Sequence, residues 1–187
     1  AEKNVTKKKL REKYNINQDD FLVMTGGKID QWKTQTLLLM EAIKKIDNDR
    51  VKLIVFGSVT EELQTKVSEL VDENKVQYIG WIQAKDSYDY FAIADLVVFP
   101  GRHSVFWEQV AAQGIPMIVK YWEGTTHIDL GGNVEFLYND SVEEIYDTIL
   151  KIVTDEKKYN EMKRIAVEKG MKKFAYSDIA KRCIDLQ

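Results

Sequence analysis

The side chains best suited to chemistry lie in one segment, "FPGRHSVFWEQVAAQGIP", which covers residues 99–116. Arg102, His103, Ser104 and Glu108 place a cation, an imidazole, a hydroxyl and a carboxylate close together. An apolar run ends where this segment begins, and a second apolar run follows it. Because the polar residues follow a predicted buried strand, we expect a ligand-facing loop and then a helix that begins at Glu108.

The rest of the chain supplies the elements that would position this loop. Six short apolar runs alternate with segments whose apolar residues are three and four apart, as in an amphipathic helix. The predicted strands cover residues 21–27, 51–58, 76–82, 95–101, 116–121 and 134–138. Near-continuous apolar strands that alternate with helices indicate βαβ units. The predicted fold class is therefore α/β, a Rossmann-like doubly wound parallel sheet of about six strands with C-terminal helices.

The segment after the last predicted strand is helical in pattern. The letters "SVEE" from Ser141 have the spacing of a capping box and predict the start of a helix. Two further helices are predicted over residues 155–173 and 176–186. We expect residues 1–20 to form a mostly solvated lead-in helix or linker, and residues 21–187 to form one Rossmann-like domain that includes the C-terminal helices.

Composition excludes several classes of function. The 187 residues are 44% apolar and 30% charged, with a net charge of -3. Nucleic-acid binders carry a basic excess, so nucleic acid is not an expected partner. No apolar run approaches the roughly 18 residues that a membrane span needs. The charged N-terminal segment lacks the apolar stretch of a signal peptide, and Cys183 is the single cysteine, so we expect a cytoplasmic location.

Ligands of open parallel sheets bind at the carboxyl ends of the strands, at the point where the strand order reverses. The predicted strand ends here are rich in glycine, hydroxyls, tryptophan and basic residues. This combination favours an anionic, phosphorylated small molecule, although the alternative that the glycines only form turns stays open. Neither a P-loop motif nor a dinucleotide motif is present. The two histidines and the cysteine are far apart in sequence, so we expect no metal site.

The order of these strand ends resembles a known family. The segment "TGGKIDQWK" supplies Gly27, Lys28 and Lys33, "LIVFGS" ends in the turn at Gly57, and "VQYIGWI" contains Gly80. The segments "EQVAAQGIPMIV" and "EGTTHIDLGGNVEFL" follow in the same order as in the family. Together they resemble the C-terminal, donor-binding domain of a retaining GT-B glycosyltransferase of the family-4 type, over roughly residues 15–175.

The resemblance implies roles for the charged residues. Lys28 and Lys33 would hold the diphosphate of a nucleotide-sugar donor and stabilise the leaving group, so that neither a metal nor another cofactor is required. Glu108 would accept hydrogen bonds from the ribose hydroxyls. Gly27 and Gly57 would form the turns beside the donor.

Other parts of the donor would meet less specific contacts. Gly80, Trp81 and Ile82 would face the nucleotide base through backbone groups and stacking. His127 lies where the family often has an acidic residue, and both a ligand contact and an ordinary loop histidine remain open. Trp107 is expected to pack in the interior rather than to stack on a ligand.

The chain departs from the family's motif in the loop before Glu108. The family's motif is a glutamate, seven intervening residues and a second glutamate. With Glu108 as the second glutamate, the first falls on Pro100, which we predict to lie in the strand. The loop offers Arg102, His103 and Ser104 instead. We expect Arg102 or His103 to contact the diphosphate or the donor sugar.

The resemblance implies a bacterial hexosyltransferase of polysaccharide biosynthesis, whose cleft lies between two domains. The N-terminal acceptor domain is missing from this chain, so we expect the isolated domain to bind donor without transferring sugar. The full-length protein would glycosylate a glycan or a lipid-linked acceptor, in the cytoplasm or attached to the inner face of the membrane. Two alternatives are a nucleotide-sugar epimerase of GT-B type and a non-catalytic nucleotide-binding or scaffold domain.

Overall fold

A computed structural model describes residues 2–175 of the chain. Its six strands form one parallel sheet in the order β3-β2-β1-β4-β5-β6. The strands are β1 Phe21–Gly26, β2 Val51–Phe56, β3 Val76–Tyr78, β4 Leu96–Phe99, β5 Met117–Lys120 and β6 Val134–Leu137. Each predicted strand is confirmed, and the Rossmann-like fold class is confirmed with it.

Helices cover both faces of this sheet. They are α1 Glu2–Lys13, α2 Gln35–Lys45, α3 Glu61–Leu70, α4 Ser87–Phe91, α5 Phe106–Ala112, α6 Val142–Val153 and α7 Glu156–Ile165. The chain then continues through a π-helical turn, Ala166–Gly170, into helical residues 171–175. None of the helices within residues 2–175 is both long enough and apolar enough to span a membrane.

Alternate strand residues feed two separate cores, as expected for a sheet buried on both sides. Val23 and Leu53 belong to the core that contains the apolar faces of α2, α3 and α6. Leu22 and Ile54 point to the other core, which contains Trp107 of α5 and the apolar residues of α4. This arrangement explains why the strands read as unbroken apolar runs in the sequence.

The strand order places a crevice between β1 and β4. The first three strands extend from β1 towards one edge of the sheet, and the last three extend from β4 towards the other. The chain therefore reverses its direction of winding between the carboxyl ends of β1 and β4, which is where ligands bind in such sheets.

Two predicted strands end earlier than their apolar letters suggest. β4 ends at Phe99 because Pro100 has no N–H to donate to a ladder, so the prediction that Pro100 lies in the strand is wrong. β3 ends at Tyr78, and Gly80 then turns the chain with a φ of 78°.

The helix after β6 is capped as its sequence predicts. The Ser141 hydroxyl accepts a hydrogen bond from the Glu144 N–H at 3.2 Å. The Glu144 carboxylate does not close a reciprocal box but accepts from the N–H groups of Tyr138 and Asn139. The helix predicted over 155–173 corresponds to α7 and its continuation, whereas the one predicted over 176–186 lies outside the described residues.

The first helix is only partly a solvated lead-in. Residues 4–9 are exposed, but Leu10 and Tyr14 pack against the core that contains α5. The Arg11 guanidinium donates hydrogen bonds to the carbonyls of Ile93 and Asp20 at 3.1 and 2.8 Å. The C-terminal end of α1 is therefore docked on the sheet domain rather than solvated.

Candidate functional site

Glycines bring the carboxyl ends of β1, β2 and β3 into close contact. The Gly27 N–H donates to the Phe56 carbonyl at 3.0 Å, and the Gly57 N–H donates to the Gly80 carbonyl at 2.8 Å. A Cβ atom on Gly57 would lie only 2.0 Å from the Gly27 carbonyl oxygen. These glycines therefore form the turns at the strand ends, and the N–H groups of Gly27 and Gly57 already donate hydrogen bonds within the chain.

A cavity of about 250 Å³ opens between the carboxyl ends of β1 and β4, and we call it the switch-point cavity. Five of the sequence-predicted polar or charged residues line it together, although they come from two loops some seventy positions apart. They are Lys28, Lys33, Arg102, His103 and Ser104. Gly27, Gln35, Thr36 and Phe106 also contribute to its wall.

The switch-point cavity is rich in positive charge. Lys28, Lys33 and Arg102 are all exposed, and Asp30 lies near the first of them, with Lys28 Nζ 3.6 Å from the Asp30 carboxylate. Three cations at the mouth of one cavity suit a ligand with more than one negative charge.

A second cavity of about 250 Å³ adjoins the first, beyond the carboxyl ends of β2 and β3, and we call it the tryptophan cavity. Gly27, Lys28 and Phe106 line both cavities. Its remaining wall includes Phe56, Gly57, Ser58, Trp81, Ile82, Ala84 and Ser87. The Trp81 side chain is 69% exposed, so its ring is available to a planar ligand group.

A larger cavity, of about 430 Å³, lies far from these strand ends. It is lined by Ala94 and Ile115, which precede β4 and β5, and by Lys7 and Lys163. It therefore opens at the amino-terminal edge of the sheet, where doubly wound folds do not place their ligands.

Glu108 does not line the switch-point cavity itself, but it is held by both histidines of the chain, and one of them, His103, lines that cavity. Its Oε1 atom is 2.8 Å from His103 Nε2 and 3.0 Å from His127 Nε2. Burial alone would raise the pKa of Glu108, but the hydrogen bonds from His103 and His127 outweigh it and hold the pKa below its usual range. Glu108 is therefore a carboxylate at neutral pH.

The two histidines are far apart in sequence, which was the ground for expecting no metal site, but the fold brings them together. His103 follows β4 and His127 lies in a 3₁₀ turn, Thr126–Ile128, after β5. Because β4 and β5 are parallel neighbours in the sheet, their carboxyl ends bring these loops together. We call His103, Glu108 and His127 the histidine–glutamate cluster.

The loop that carries His127 is organised by polar residues whose role the sequence analysis missed. Asn133 is fully buried, accepts from the Leu130 N–H at 2.7 Å and donates to the Ile128 carbonyl at 3.1 Å. The Asp129 carboxylate accepts from the N–H groups of the two glycines at 131 and 132. The signal was present in the letters "DLGGN", since Asp and Asn commonly bond to nearby backbone in turns.

The loop that carries His103 is fixed at both ends. The Ser104 hydroxyl accepts from the Phe106 N–H at 3.3 Å, and α5 begins at Phe106, two residues before the predicted start at Glu108. The Trp122 indole N–H donates to the Gly101 carbonyl at 3.1 Å and ties the loop to the one after β5. Trp107 is fully buried, which confirms its predicted packing role.

Comparison with known proteins identifies the family. Residues 6–169 match the family described as "Glycosyl transferases group 1". The chain belongs to this glycosyltransferase family. The sequence-based prediction of a glycosyltransferase domain is thereby confirmed.

Relatives of this glycosyltransferase domain are longer proteins. Mannosylfructose-phosphate synthase of Agrobacterium fabrum (strain C58) is 26% identical over 133 residues, which cover 69% of this chain and 29% of the synthase. The structure of Anabaena Alr3699/HepE in complex with UDP and glucose has a TM-score of 0.77 and 20% identity, covering 97% of this chain and 52% of HepE. The chain thus spans about half of HepE and under a third of the synthase.

One similar structure is a single domain. The C-terminal domain of a group 1 family glycosyl transferase (LpcC) from Francisella tularensis has a TM-score of 0.67 and 15% identity. The match covers 87% of this chain and 89% of that domain. This likeness concerns the fold.

Proposed function

We propose that this glycosyltransferase domain is the donor-binding, C-terminal half of a retaining GT-B enzyme of the family-4 type. The observation that carries the proposal is the meeting of Lys28, Lys33 and Arg102 around one cavity at the point where the strand order reverses. That cavity adjoins a second one with an exposed tryptophan, so a charged and a planar ligand group have separate places. A nucleotide-sugar donor contains both groups.

The lysines carry the chemistry in this proposal. Departure of the nucleotide leaves negative charge on the diphosphate, and fixed cations beside it lower the barrier. Lys28 and Lys33 supply that charge, and Arg102 adds to it. With three cations available, transfer does not require a metal ion or another cofactor.

Glu108 binds the ribose through Oε2, the carboxylate oxygen that does not bond the histidines. Oε1 already accepts from His103 and His127, so Oε2 is the acceptor for a ribose hydroxyl. The hydrogen bonds to Oε1 also fix the orientation of the carboxylate before the donor arrives, which reduces the entropy lost on binding.

The nucleotide base occupies the tryptophan cavity. Trp81 and Ile82 lie on its wall, and stacking on an exposed indole is compatible with any base. Gly80 does not line this cavity but supports it through its bond to Gly57. HepE binds UDP, which makes UDP the first nucleotide to test.

His103 takes the place of the family's missing glutamate. It lines the switch-point cavity with Arg102 and Ser104, and its ring packs edge-on against Trp107 at a centroid distance of 4.9 Å. A donor sugar or phosphate in the cavity would therefore contact His103 or Arg102.

The acceptor side lies outside this domain. Since the chain spans about half of HepE, we propose that an N-terminal acceptor domain belongs to the same longer enzyme. That enzyme would be a hexosyltransferase that modifies a glycan or a lipid-linked acceptor, in the cytoplasm or at the inner face of the membrane. The isolated domain would bind donor without transferring sugar.

The proposal is tested by calorimetric titration of the chain with UDP, GDP and ADP. We expect saturable binding of one nucleotide and about a 10- to 100-fold weaker affinity in Glu108→Ala, the usual effect of losing a hydrogen bond to a charged group. Glu123→Ala is the matched control, because Glu123 is an exposed carboxylate that lies outside both cavities and outside the set of His103, Glu108 and His127. Its affinity should equal that of the wild type.

Three outcomes would contradict the proposal. Binding of none of the three nucleotides by a folded chain would favour the non-catalytic scaffold alternative. Sugar transfer by the isolated chain at ordinary enzyme rates would show that the acceptor domain is dispensable. Epimer formation by the full-length protein would favour the epimerase alternative.

A further inference from the structure

The histidine–glutamate cluster has the composition of a metal site. Two imidazole nitrogens and one carboxylate oxygen lie within 4.8 Å of one another. The same three ligand types, two histidines and a glutamate, hold zinc in several hydrolases with a further position left for solvent or substrate. The spacing of His103, Glu108 and His127 in the sequence does not match a metal-binding motif, because the three residues lie in a loop, a helix and a 3₁₀ turn.

The two histidine–glutamate distances within the cluster are close to those that a metal ion requires. Zinc holds nitrogen and oxygen ligands at about 2.0–2.2 Å, so two ligands of a tetrahedral ion lie about 3.3 Å apart. The Nε2 atoms of His103 and His127 lie 2.8 and 3.0 Å from Glu108 Oε1. The histidine ligand atoms lie within 4.8 Å of each other, so a small outward movement from Glu108 Oε1 and a closer approach of the two rings would convert this hydrogen-bonded cluster into a coordination shell.

The three ligands are held in place by the surrounding structure. The His103 ring packs edge-on against the buried Trp107, and the two histidine rings lie 6.0 Å apart between centroids. The His127 loop is fixed by the buried Asn133. Ligands supported in this way lose little freedom on binding an ion.

The cluster is also accessible. The side chains of His103, Glu108 and His127 are 36%, 29% and 42% exposed, so an ion can enter and can keep a position open to solvent. A buried structural hydrogen-bond network would have been closed to water. The chain contains two histidines in total, and both are in this cluster.

We propose that the histidine–glutamate cluster binds a divalent first-row transition metal, with zinc as the best match to its ligands. The ligand atoms are His103 Nε2, His127 Nε2 and Glu108 Oε1. The sugar-transfer chemistry proposed above does not require this ion, and Oε2 of Glu108 remains available to a ribose hydroxyl. The ion adds positive charge beside His103, which lines the switch-point cavity.

The test is direct binding of the metal alone. The chain, carrying Cys183→Ser so that its thiol cannot contribute, is titrated at pH 7.5 with Co²⁺ and then with Zn²⁺. We expect one Co²⁺ per chain with visible absorption of a four- or five-coordinate site, and displacement of that absorption by Zn²⁺. In nitrogen NMR, both imidazole Nε2 resonances should shift together.

Variants decide which residues hold the ion. His103→Asn and His127→Asn should each weaken Zn²⁺ binding by at least about 10-fold, since even supporting residues of metal sites have effects of that size. Glu123→Gln should leave it unchanged. Circular dichroism of each variant verifies that it is folded.

The proposal is overturned if Zn²⁺ binds no better than to the double histidine variant, which would make the cluster a hydrogen-bonded support for Glu108 alone. A nucleotide titration in EDTA separates this result from the donor-site proposal. Nucleotide binding without metal binding refutes the metal site only, and metal binding without nucleotide binding refutes the donor site only.

Discussion

Replacement of Gly57 by alanine should destabilise the domain strongly, because two backbone segments approach each other at this residue. The new Cβ atom would lie 2.0 Å from the carbonyl oxygen of Gly27 and 2.6 Å from its carbonyl carbon. Gly57 also has a φ of 131°, which L-residues rarely adopt. The strained backbone costs about 1–3 kcal/mol, and the forced displacement of Gly27 costs about 1–3 kcal/mol more. Together they lower the free energy of unfolding by about 2–6 kcal/mol.

Gly27→Ala is the matched control for this experiment. Gly27 has a similar φ of 139°, but a Cβ atom there would meet no heavy atom within 4 Å. It should therefore show the backbone strain alone, about 1–3 kcal/mol. The difference between the two variants isolates the steric contact.

Urea denaturation followed by circular dichroism measures the free energy of unfolding of both variants. The comparison is valid when the slope of that free energy against urea concentration is the same for each variant. The reasoning is refuted if the two alanine variants lose the same stability, or if Gly57→Ala stays within about 0.5 kcal/mol of the wild type. A folded Gly57→Ala chain should also bind nucleotide more weakly, because Lys28 follows the displaced Gly27.

Three further predictions concern single residues. Ser141→Ala should lower the free energy of unfolding by about 1 kcal/mol through loss of the helix cap, whereas Ser68→Ala, on the exposed face of α3, should leave it unchanged or raise it slightly; urea denaturation measures both. The stability that ionised Glu108 provides should be fully present above about pH 4.3, the pKa of an unfolded glutamate, and be lost as the pH falls through the lower folded pKa. The wild type minus Glu108→Gln difference in thermal denaturation should shrink over that acid range, and a difference independent of pH would contradict the assignment. Asn133→Ala should cost about 1–3 kcal/mol by leaving buried backbone groups unpaired, and proteolysis of the loop should become faster.

The fold was predictable because each strand is buried on both faces. Apolar runs bounded by glycine and polar residues marked all six strands, and the intervening helical spacing implied parallel crossovers. Element ends were less predictable, since they depend on single hydrogen bonds. The end of β4 follows from Pro100, and the start of α5 lies at Phe106, whose N–H donates to the Ser104 hydroxyl.

The candidate site was predictable one residue at a time but not as an arrangement. Lys28 and Lys33 were expected at the diphosphate, and Arg102 or His103 at the diphosphate or the donor sugar; the structure places all four at one cavity. The approach of His103 and His127 was missed because it depends on β4 and β5 being neighbours. Strand order is set by how helices pack on the whole sheet, and apolar periodicity does not encode it.

The place of the switch-point cavity has a consequence for the order of folding. The loops that form its two walls follow β1 and β4, which are paired in the sheet. This pairing joins distant parts of the chain, since the Leu22 N–H donates to the carboxylate of Asp95, 73 positions later. Pairing of β1 with β2 and then β3 needs only shorter loops, so it can precede the long-range closure. Until β4 pairs with β1, β1 is an edge strand of the sheet and the cavity lacks one of its walls. A ligand that contacts both walls of this cavity therefore binds only chains in which β4 has paired with β1, and it stabilises those chains against reopening.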